Sequence, residues 1–211
     1  MKILAFDTST EVMSIAVQSG ETVFEFAGTG GAQASSRLIP EIQALMQEAG
    51  LDFKDLDCIA FGAGPGAFTG LRASCAVAQG LGFAAGVSLA PISTLHAIAV
   101  QLHQAMGAAR ITAALDARMG EVYWQRFDFS QDALGTAFDV EPQLSAAAMQ
   151  VDGKSFELGT LPRARTLLGL AQSLAGKAQL VRPADALPLY VRNKVAETTA
   201  QREVAKAGIQ A

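Results

Sequence analysis

Two short stretches of this sequence contain residue types that could hold a phosphate or a metal-bound nucleotide. The first, FDTST, ends an apolar strand at Asp7 and follows it with the hydroxyls of Thr8 and Ser9. The second, FGAGPGAFTGLRAS from Phe61 to Ser74, places glycines between a buried strand and a helix. Carboxylates, hydroxyls and backbone N–H groups at a helix start can bind an anion. Both stretches are equally typical of sharp structural turns, so both interpretations stay open.

The glycine-rich stretch matches neither of two familiar phosphate-binding loops. A Walker loop needs a lysine directly after its last glycine, and the next lysine along the chain is Lys154. A dinucleotide loop needs an acidic residue about 20 positions later, and Ala73–Ala109 contains no charged residue. The remaining interpretation is a strand-to-helix corner, with anion contact as the alternative. The glycines that would set this corner are Gly62, Gly64, Gly66 and Gly70.

The sequence offers no recognisable catalytic or metal-binding set. His96 and His103 would lie about 10.5 Å apart along one helix, too far to chelate one metal. Cys58 and Cys75 lack metal-ligand or redox spacing and read as buried free thiols. We therefore expect no catalytic residue, no metal site and no intrinsic cofactor.

Composition predicts a folded protein without a nucleic-acid-binding face of its own. Half of the residues are apolar, and 16 Lys and Arg against 20 Asp and Glu give a net charge of −4. The uncharged run Ala73–Ala109 is interrupted by glycine, proline and polar residues, which favours a helix (70–85), a strand (87–92) and a helix (93–106) over a membrane span. The start of the chain has no signal-peptide pattern, so we expect a cytoplasmic protein without a membrane segment.

A pattern of strand, aspartate, hairpin and helix occurs twice along the chain. Strands are predicted near 3–6, 13–18 and 22–26, followed by a helix that begins after Ser35 or Ser36 and cannot start much before Pro40. The pattern restarts near residue 110 with a strand that ends at Asp116. Further on we expect a strand at 136–140, an alanine-rich helix after Ser145, a strand at 156–158 and a helix at 163–175.

This repetition predicts an α/β protein with two related lobes, each a mixed sheet with flanking helices. Residues 1–108 would form the first lobe, and residues 109–189 a smaller, degenerate second lobe. The tail, about 190–211, would return to the first lobe.

Two helices of the first half are candidates for either an internal core or a partner surface. The first has apolar side chains at helical spacing, and the second, 70–85, has small side chains that would let another helix approach closely. The candidate contact residues are Leu38, Ile39, Ile42, Leu45, Met46, Ala73, Ala76 and Gly80.

Five stretches together resemble the TsaB (YeaZ) family of the actin/hexokinase/Hsp70-like superfamily: ILAFDTSTEVMSIAV, GAGPGAFTGLRASCAVAQGL, ISTL, LDARMGEVYW and PLYVRNKVA. The resemblance is strong over 1–125 and returns at 188–196. It implies the superfamily's two-lobed actin-like fold, in which each lobe is RNase H-like. It also implies vestigial or shared nucleotide loops at Asp7, Thr8, Ser9, Gly64, Gly66, Thr69, Gly70 and Asp116.

The resemblance further implies a part in making threonylcarbamoyladenosine at position 37 of tRNA. In that system the paralogue TsaD transfers the threonylcarbamoyl group, the ATPase TsaE supports turnover, and TsaB pairs with TsaD through helices matching 36–49 and 70–85. We therefore expect a non-catalytic subunit that binds and activates TsaD, with TsaE as a further partner and tRNA contact only through the complex. Alone, the chain should form a homodimer. Whether ATP or ADP contacts it within the complex stays open.

Three departures from related sequences point away from catalysis by this chain. The stretch GAQASSRLIP lacks the two histidines that bind metal in TsaD, and it lacks the histidine that often precedes the first-helix serine in TsaB. Ala67 stands where the family loop usually has serine. Two alternatives remain: an autonomous ATPase or sugar kinase that uses Asp7, Thr8 and the glycine loop, and a peptidase.

Overall fold

The computed structural model describes residues 1–31, 34–151, 154–155 and 158–192. Its first sheet has five strands in the order β3-β2-β1-β4-β5. β1, β2 and β3 are antiparallel neighbours, whereas β4 runs parallel to both β1 and β5. Strands β1 and β4 are almost continuously apolar because both of their faces are covered. The bounds are Lys2–Asp7 (β1), Val12–Ser19 (β2), Thr22–Thr29 (β3), Cys58–Gly64 (β4) and Ser88–Ser93 (β5).

Four helices cover the two faces of this sheet. They are α1 (Ala34–Glu48), α2 (Phe68–Ala85), α3 (Thr94–Met106) and α4 (Ala164–Gly176). Helices α1 and α2 pack on one face, against side chains such as Leu4, Phe6 and Ile59. Helices α3 and α4 pack on the other face, in one core with Ile3 and Ala60. In the described part of the chain, no helix is both long enough and apolar enough to cross a membrane.

Helix α1 starts earlier than the sequence predicts. It runs from Ala34, so Pro40 lies in its interior and not in its first turn. The expectation that proline would delay the start is therefore wrong. Pro40 is exposed, on the side of α1 away from the core residue Leu38. Burial of the opposite apolar face outweighs the lost backbone donor.

The second sheet is smaller. It consists of β6 (Arg110–Arg118), β7 (Glu121–Asp128), β8 (Thr136–Ala137) and β9 (Gln143–Ala146), and β7 pairs with the other three. A hairpin of β10 (Gln150–Val151) and β11 (Lys154–Ser155) follows. All pairings of this sheet within the described residues are antiparallel, so the expectation of a mixed sheet holds for the first lobe and not for the second.

The middle of the second half departs most from the sequence prediction. The predicted strand at 136–140 stops at Ala137, because Asp139 turns to bond the Arg126 side chain through Nη2 at 2.6 Å. No alanine-rich helix follows Ser145, which lies in β9 and accepts a hydrogen bond from Trp124 Nε1 at 2.9 Å. Residues 156 and 157 of the predicted strand at 156–158 lie outside the described residues.

Helix α4 comes from the second half of the sequence but packs on the first sheet. The backbone N–H of Ala164 donates to Ser14 Oγ at 2.9 Å, and Gln172 Nε2 donates to Gln18 Oε1 at 2.8 Å. Apolar side chains of α4, among them Leu167, lie in one core with β1 and β4. Helix α4 therefore belongs to an apolar core that contains residues of both sheets. The boundary between the two lobes at 108/109 stays a proposal.

The chain returns to the first half well before residue 190. Val181 forms a two-way antiparallel bridge with Leu89 on the outer side of β5, with N–O distances of 2.8 Å. Ala186 is buried against α2, where its carbonyl accepts from Gln79 Nε2 at 3.0 Å. The part of the predicted tail beyond Arg192 lies outside the described residues.

Candidate functional site

The turn after β1 is built around a fully buried aspartate. Asp7 Oδ1 accepts two hydrogen bonds from Ser9, one from its backbone N–H at 2.7 Å and one from Oγ at 2.6 Å. Thr94 Oγ1, at the start of α3, in turn donates to Ser9 Oγ at 3.3 Å. The turn that the sequence predicts at FDTST is therefore held by its own carboxylate and fastened to a neighbouring helix.

The second oxygen of Asp7 has no such partners. Within the described residues, Asp7 Oδ2 is buried without a hydrogen bond. It faces the backbone of Gly62 on β4, where a Cβ would lie 1.9 Å from it. Burial raises the pKa of Asp7 from 3.8 to about 6, even though the hydrogen bonds from Ser9 act in the opposite direction.

The glycine corner packs directly on the turn that Asp7 organises. Thr8 Oγ1 donates to the Gly70 carbonyl at 2.8 Å, and the N–H of Ala67 donates to the Ser9 carbonyl at 2.7 Å. A Cβ on Gly70 would lie 1.9 Å from the Thr8 carbonyl oxygen, and one on Gly66 would lie 2.6 Å from that of Ser9. The glycines are required because two pieces of backbone touch there.

The backbone donors of this corner are therefore only partly available to a phosphate. The Ala67 N–H, which would belong to an anion-binding nest, is already bonded to Ser9. Gly64 has φ +114°, and a Cβ there would meet the Leu189 carbonyl at 2.9 Å. Thr69 is exposed on the first turn of α2. These contacts favour the structural corner over the phosphate loop.

The β6–β7 hairpin repeats the turn of β1–β2 in a looser form. Asp116 Oδ1 accepts from the backbone N–H two residues later, Arg118, at 2.8 Å, as Asp7 does from Ser9. Here the carboxylate is exposed and pairs with the Arg118 guanidinium at 3.1 Å. Arg118 and Met119 both have positive φ, at 65° and 57°. The matching turns support the internal duplication read from the sequence.

A cleft of about 670 Å³ lies between the two turns. Of the predicted nucleotide-loop residues, Ser9, Gly66 and Asp116 line it. The others do not: Asp7, Thr8, Gly64, Thr69 and Gly70. The sequence did not single out three further lining residues, Arg118, Tyr190 and Arg192, although all three fall within stretches that carry the family resemblance.

The cleft residues fit a metal-bound nucleotide poorly. The carboxylate that would hold the metal, Asp7, is sealed beneath Gly62 and does not reach the cleft. The cations at the cleft, Arg118 and Arg192, are paired with Asp116 and Glu121. In the described ranges, no three His, Cys, Asp or Glu side chains converge as metal ligands would.

The two histidines lie on one side of α3, against the second sheet. His96 stacks on Phe127 with 4.9 Å between ring centroids, and its Nε2 lies 2.7 Å from the Leu134 carbonyl. His103 stacks on Phe129 at 4.3 Å and its Nδ1 lies 2.9 Å from the Ala108 carbonyl. Both side chains therefore bind backbone carbonyls and help to join α3 to the second sheet.

Comparison with known proteins agrees with this geometry. A family model described as "TsaD: tRNA N6-adenosine threonylcarbamoyltransferase" matches residues 29–202. The tRNA threonylcarbamoyladenosine biosynthesis protein TsaB of Escherichia coli is 31% identical over 223 residues, covering 93% of this chain and 96% of the relative. That of Haemophilus influenzae is 31% identical over 225 residues, covering 92% and 95%. The chain belongs to the TsaB family.

Solved structures of TsaB relatives share its fold. YeaZ from Pseudomonas aeruginosa superposes with a TM-score of 0.81 at 32% identity, covering 90% of this chain and 99% of that one. A Pseudomonas aeruginosa structure described as similar to peptidase YeaZ gives 0.82 at 31% identity, with the same coverage. The expected two-lobed, actin-like α/β fold is confirmed.

Helix α1 of this TsaB-family chain corrects part of the predicted partner surface. Leu38, Ile42, Leu45 and Met46 are buried within the chain's own core, so they present no surface to a partner. A stripe of apolar residues at helical spacing has the same appearance in a core and at an interface. Ile39 is the exception, because 43% of it is exposed.

The other predicted contact residues lie at the surface of the TsaB-type helix α2. Ala76 and Gly80 are exposed, and Ala73 is half-buried. A side chain at Gly80 would meet nothing within 4 Å. Phe83, which was not among the predicted contact residues, lies one turn further along and is 64% exposed. Small residues and a phenylalanine thus form a smooth outer face on α2, and α1 packs beside it.

Proposed function

We propose that this protein is a cytoplasmic, non-catalytic subunit of the system that makes threonylcarbamoyladenosine in tRNA. In this proposal it binds and activates TsaD, and it acts with TsaE and reaches tRNA only through the complex. Membership of the TsaB family supports the pathway, since the Escherichia coli and Haemophilus influenzae relatives are described as biosynthesis proteins for this nucleoside.

The observation that carries the proposal is the outer face of α2. Ala76 and Gly80 let another backbone come close, and Phe83 supplies a large apolar side chain for a partner pocket. The exposed Ile39 of α1 adds an aliphatic side chain, and the two helices pack against each other. Exposed apolar side chains on neighbouring helices are typical of a protein-binding site.

The closed glycine corner supports a structural role for the nucleotide-like loops. Thr8 and Ser9 occupy the space around Gly66 and Gly70, and this fixes the start of α2. The corner would then act by holding the docking helix in place. The chain would need no cofactor of its own, and any ATP or ADP contact would arise at the boundary with a partner.

The experiment is to mix the protein with TsaD of the same organism and to measure the mass by light scattering. The test variant is Gly80→Arg, because the space around Gly80 is open and arginine favours a helix more than glycine does. It should fold normally and lose the complex. The matched control is Gln104→Arg, at an exposed position of α3, which should keep the complex.

The outcomes separate the proposals. A complex that survives Gly80→Arg would keep the TsaD partnership and exclude α2 as the docking face. Failure of the unsubstituted protein to bind TsaD, with and without ATP, ADP and TsaE, would overturn the proposed function. Ile42 is unsuitable for this test because it is fully buried, and a charge there would unfold the protein.

The same face should produce a homodimer when the chain is alone. The exposed phenylalanine and the small residues beside it would be buried from water if this face paired with the same face of a second copy. Light scattering over a concentration series should therefore show a dimer that Gly80→Arg weakens. A monomer at all concentrations would contradict this part of the proposal without affecting TsaD binding.

Two alternatives from the sequence remain testable. An autonomous ATPase or sugar kinase should be stabilised by about 2.7 kcal/mol when a nucleotide is present at a hundred times its Kd. The sealed position of Asp7 disfavours this reading. A peptidase would need a base beside a nucleophile, yet His96 and His103 each bind a backbone carbonyl. A casein assay with chelator controls tests it.

A further inference from the structure

Residues 187–192, here called the strap, pass from the glycine corner to the second sheet. At the first-lobe end, the N–H of Leu189 donates to the Ala63 carbonyl at 2.7 Å, between the first two glycines of the corner. Along the strap, Leu189, Tyr190, Val191 and Arg192 all line the cleft. The strap is therefore one side of the space between the lobes.

The middle of the strap rests on the first turn of α2. The ring of Tyr190 lies 5.5 Å from that of Phe68, centroid to centroid, and its hydroxyl accepts from Arg72 Nε at 3.1 Å. Arg72 in turn lies over the Phe68 ring at 3.9 Å. Backbone, aromatic and cation–π contacts thus tie this part of the strap to the first lobe in several places.

The Arg192 side chain attaches the end of the strap to the second sheet. Arg192 Nη2 donates to the Ala117 carbonyl at 2.9 Å and to Glu121 Oε2 at 2.5 Å, and Nη1 lies 3.1 Å from Met119 Sδ. These three residues belong to both strands and the turn of the β6–β7 hairpin. The Arg192 side chain is only 16% exposed, whereas the Glu121 side chain is 38% exposed, so the ion pair is partly shielded from water on its arginine side.

We propose that Arg192 is a latch that sets the width of the cleft. The strap is hydrogen-bonded and stacked on the first lobe at several points, whereas in the described part of the chain its hydrogen bonds to the β6–β7 hairpin come from the Arg192 guanidinium, with Val191 packed on the shared apolar core. Release of Arg192 would free the hairpin from the strap and let the two cleft walls separate. The two lobes would then rotate about the apolar core around α3 and α4, which contains residues of both sheets.

The direct test measures the distance between the two lobes that carry the cleft walls, by pulsed electron spin resonance. Spin labels are placed at Glu48→Cys on α1 and Gln131→Cys after β7, both exposed, in a Cys58→Ala, Cys75→Ala background. Arg192→Met should shift and broaden the distance distribution, because methionine keeps the apolar stem without the charge. Arg182→Met is the matched control, since Arg182 also pairs with a carboxylate, that of Asp185, but precedes the strap and has a side chain that is 80% exposed. An unchanged distribution in Arg192→Met would overturn the proposal.

Amide hydrogen exchange provides a second, independent readout. In Arg192→Met, exchange should rise about tenfold in peptides covering 115–121 and 187–192, the factor expected for losing one charge-assisted hydrogen bond. Exchange in β4 should not change. A uniform rise across the chain would mean general destabilisation and would contradict the latch. Glu121→Gln, which keeps the shape of the acceptor, should give a smaller rise in the same two peptides, and this variant replaces Arg192→Met if the latter does not fold.

Discussion

Asp7 and Gly62 lie in such close contact that the smallest side chain on Gly62 would fall 1.9 Å from the carboxylate oxygen Oδ2. The uncharged backbone of Gly62 therefore covers Asp7 Oδ2, while Ser9 donates both of the hydrogen bonds to Oδ1. This arrangement places a potential metal ligand of the superfamily out of reach of the cleft. It converts the carboxylate into an internal support for the turn.

The buried charge of Asp7 should lower stability at neutral pH. Its pKa is raised from 3.8 to about 6, so the folded protein favours the protonated acid. The resulting stabilisation is complete below 3.8 and is lost as pH rises through about 6. Asp7→Asn keeps an acceptor for Ser9 and removes the charge, so it should raise the free energy of unfolding at pH 7.5 by up to about 3 kcal/mol.

Urea unfolding at pH 5 and pH 7.5 checks this prediction. Asp7→Asn should gain most at the higher pH and little at the lower one. Asp116→Asn, in the equivalent but exposed turn, is the control and should change stability by less than about 0.5 kcal/mol at either pH. Destabilisation of Asp7→Asn at pH 7.5 would mean that the carboxylate is needed in its charged form.

Two glycines in α2 should respond in opposite ways to alanine. Gly70→Ala places a methyl group 1.9 Å from the Thr8 carbonyl oxygen, which is backbone and cannot rotate away. We expect a loss of about 3 kcal/mol in the free energy of unfolding. Gly80→Ala meets nothing within 4 Å and should gain about 0.5–1 kcal/mol from helix propensity. Equal effects at both positions, measured by urea unfolding, would contradict the packed-corner interpretation.

Alanine substitutions at two isoleucines of α1 should affect different properties, one the stability of the fold and the other the affinity for TsaD. Ile42 is fully buried, and Ile42→Ala should cost about 3 kcal/mol in stability while the folded protein keeps its affinity for TsaD. Ile39 is 43% exposed, and Ile39→Ala should leave stability within about 0.5 kcal/mol but weaken the complex. Denaturation curves and isothermal titration of each variant provide the two measurements. Equal affinity of Ile39→Ala and the unsubstituted protein would remove α1 from the docking face.

Acidification should weaken the contact between α3 and the second sheet. A carbonyl only accepts, so His96 Nε2 must donate to Leu134. Burial lowers the pKa of His96 below 6.5, although the carbonyls of Leu134 and Gly135 and the nearby Asp132 act against this. Neutral His96 therefore stabilises the fold fully above pH 6.5, and this contribution is lost as pH falls through its lower folded pKa.

An NMR titration of the two imidazoles tests this directly. The His96 ring signal should report less than half protonation at pH 6.5, where half of a free histidine would be protonated. The stability effect is best followed in the Asp7→Asn background, because Asp7 changes stability in the opposite direction over the same pH range. A His96 pKa at or above 6.5 would contradict the prediction.

The sequence predicts most of the first lobe because its signals are local. The helix predicted at 70–85, the strand at 87–92 and the helix at 93–106 lie within two residues of the bounds of α2, β5 and α3. The second lobe is less predictable, because β8 and β9 are short and depend on pairing with β7. The alanines after Ser145 favour a helix locally, but strand pairing outweighs this preference.

The sequence indicates which residues form the candidate site, but not how they are arranged around the cleft. FDTST and the glycine stretch identify the right turns, but only tertiary contacts decide that Asp7 points beneath Gly62 and away from the cleft. For the same reason, periodicity could not tell whether Leu38 faces the chain's own sheet or a partner. No local pattern indicates a role for Arg192, since its partner Glu121 is 71 positions away.

The position of α4 on the first sheet has a consequence for how the protein is made. During synthesis, β1, β2 and β4 leave the ribosome long before residues 164–176. Until α4 is made, one apolar face of the first sheet is therefore only partly covered. Folding from the amino end cannot finish lobe by lobe, and a gene fragment that stops near residue 108 should yield aggregating protein. The two halves therefore form one unit of synthesis and quality control, even though both contain the same pattern of strand, aspartate and hairpin.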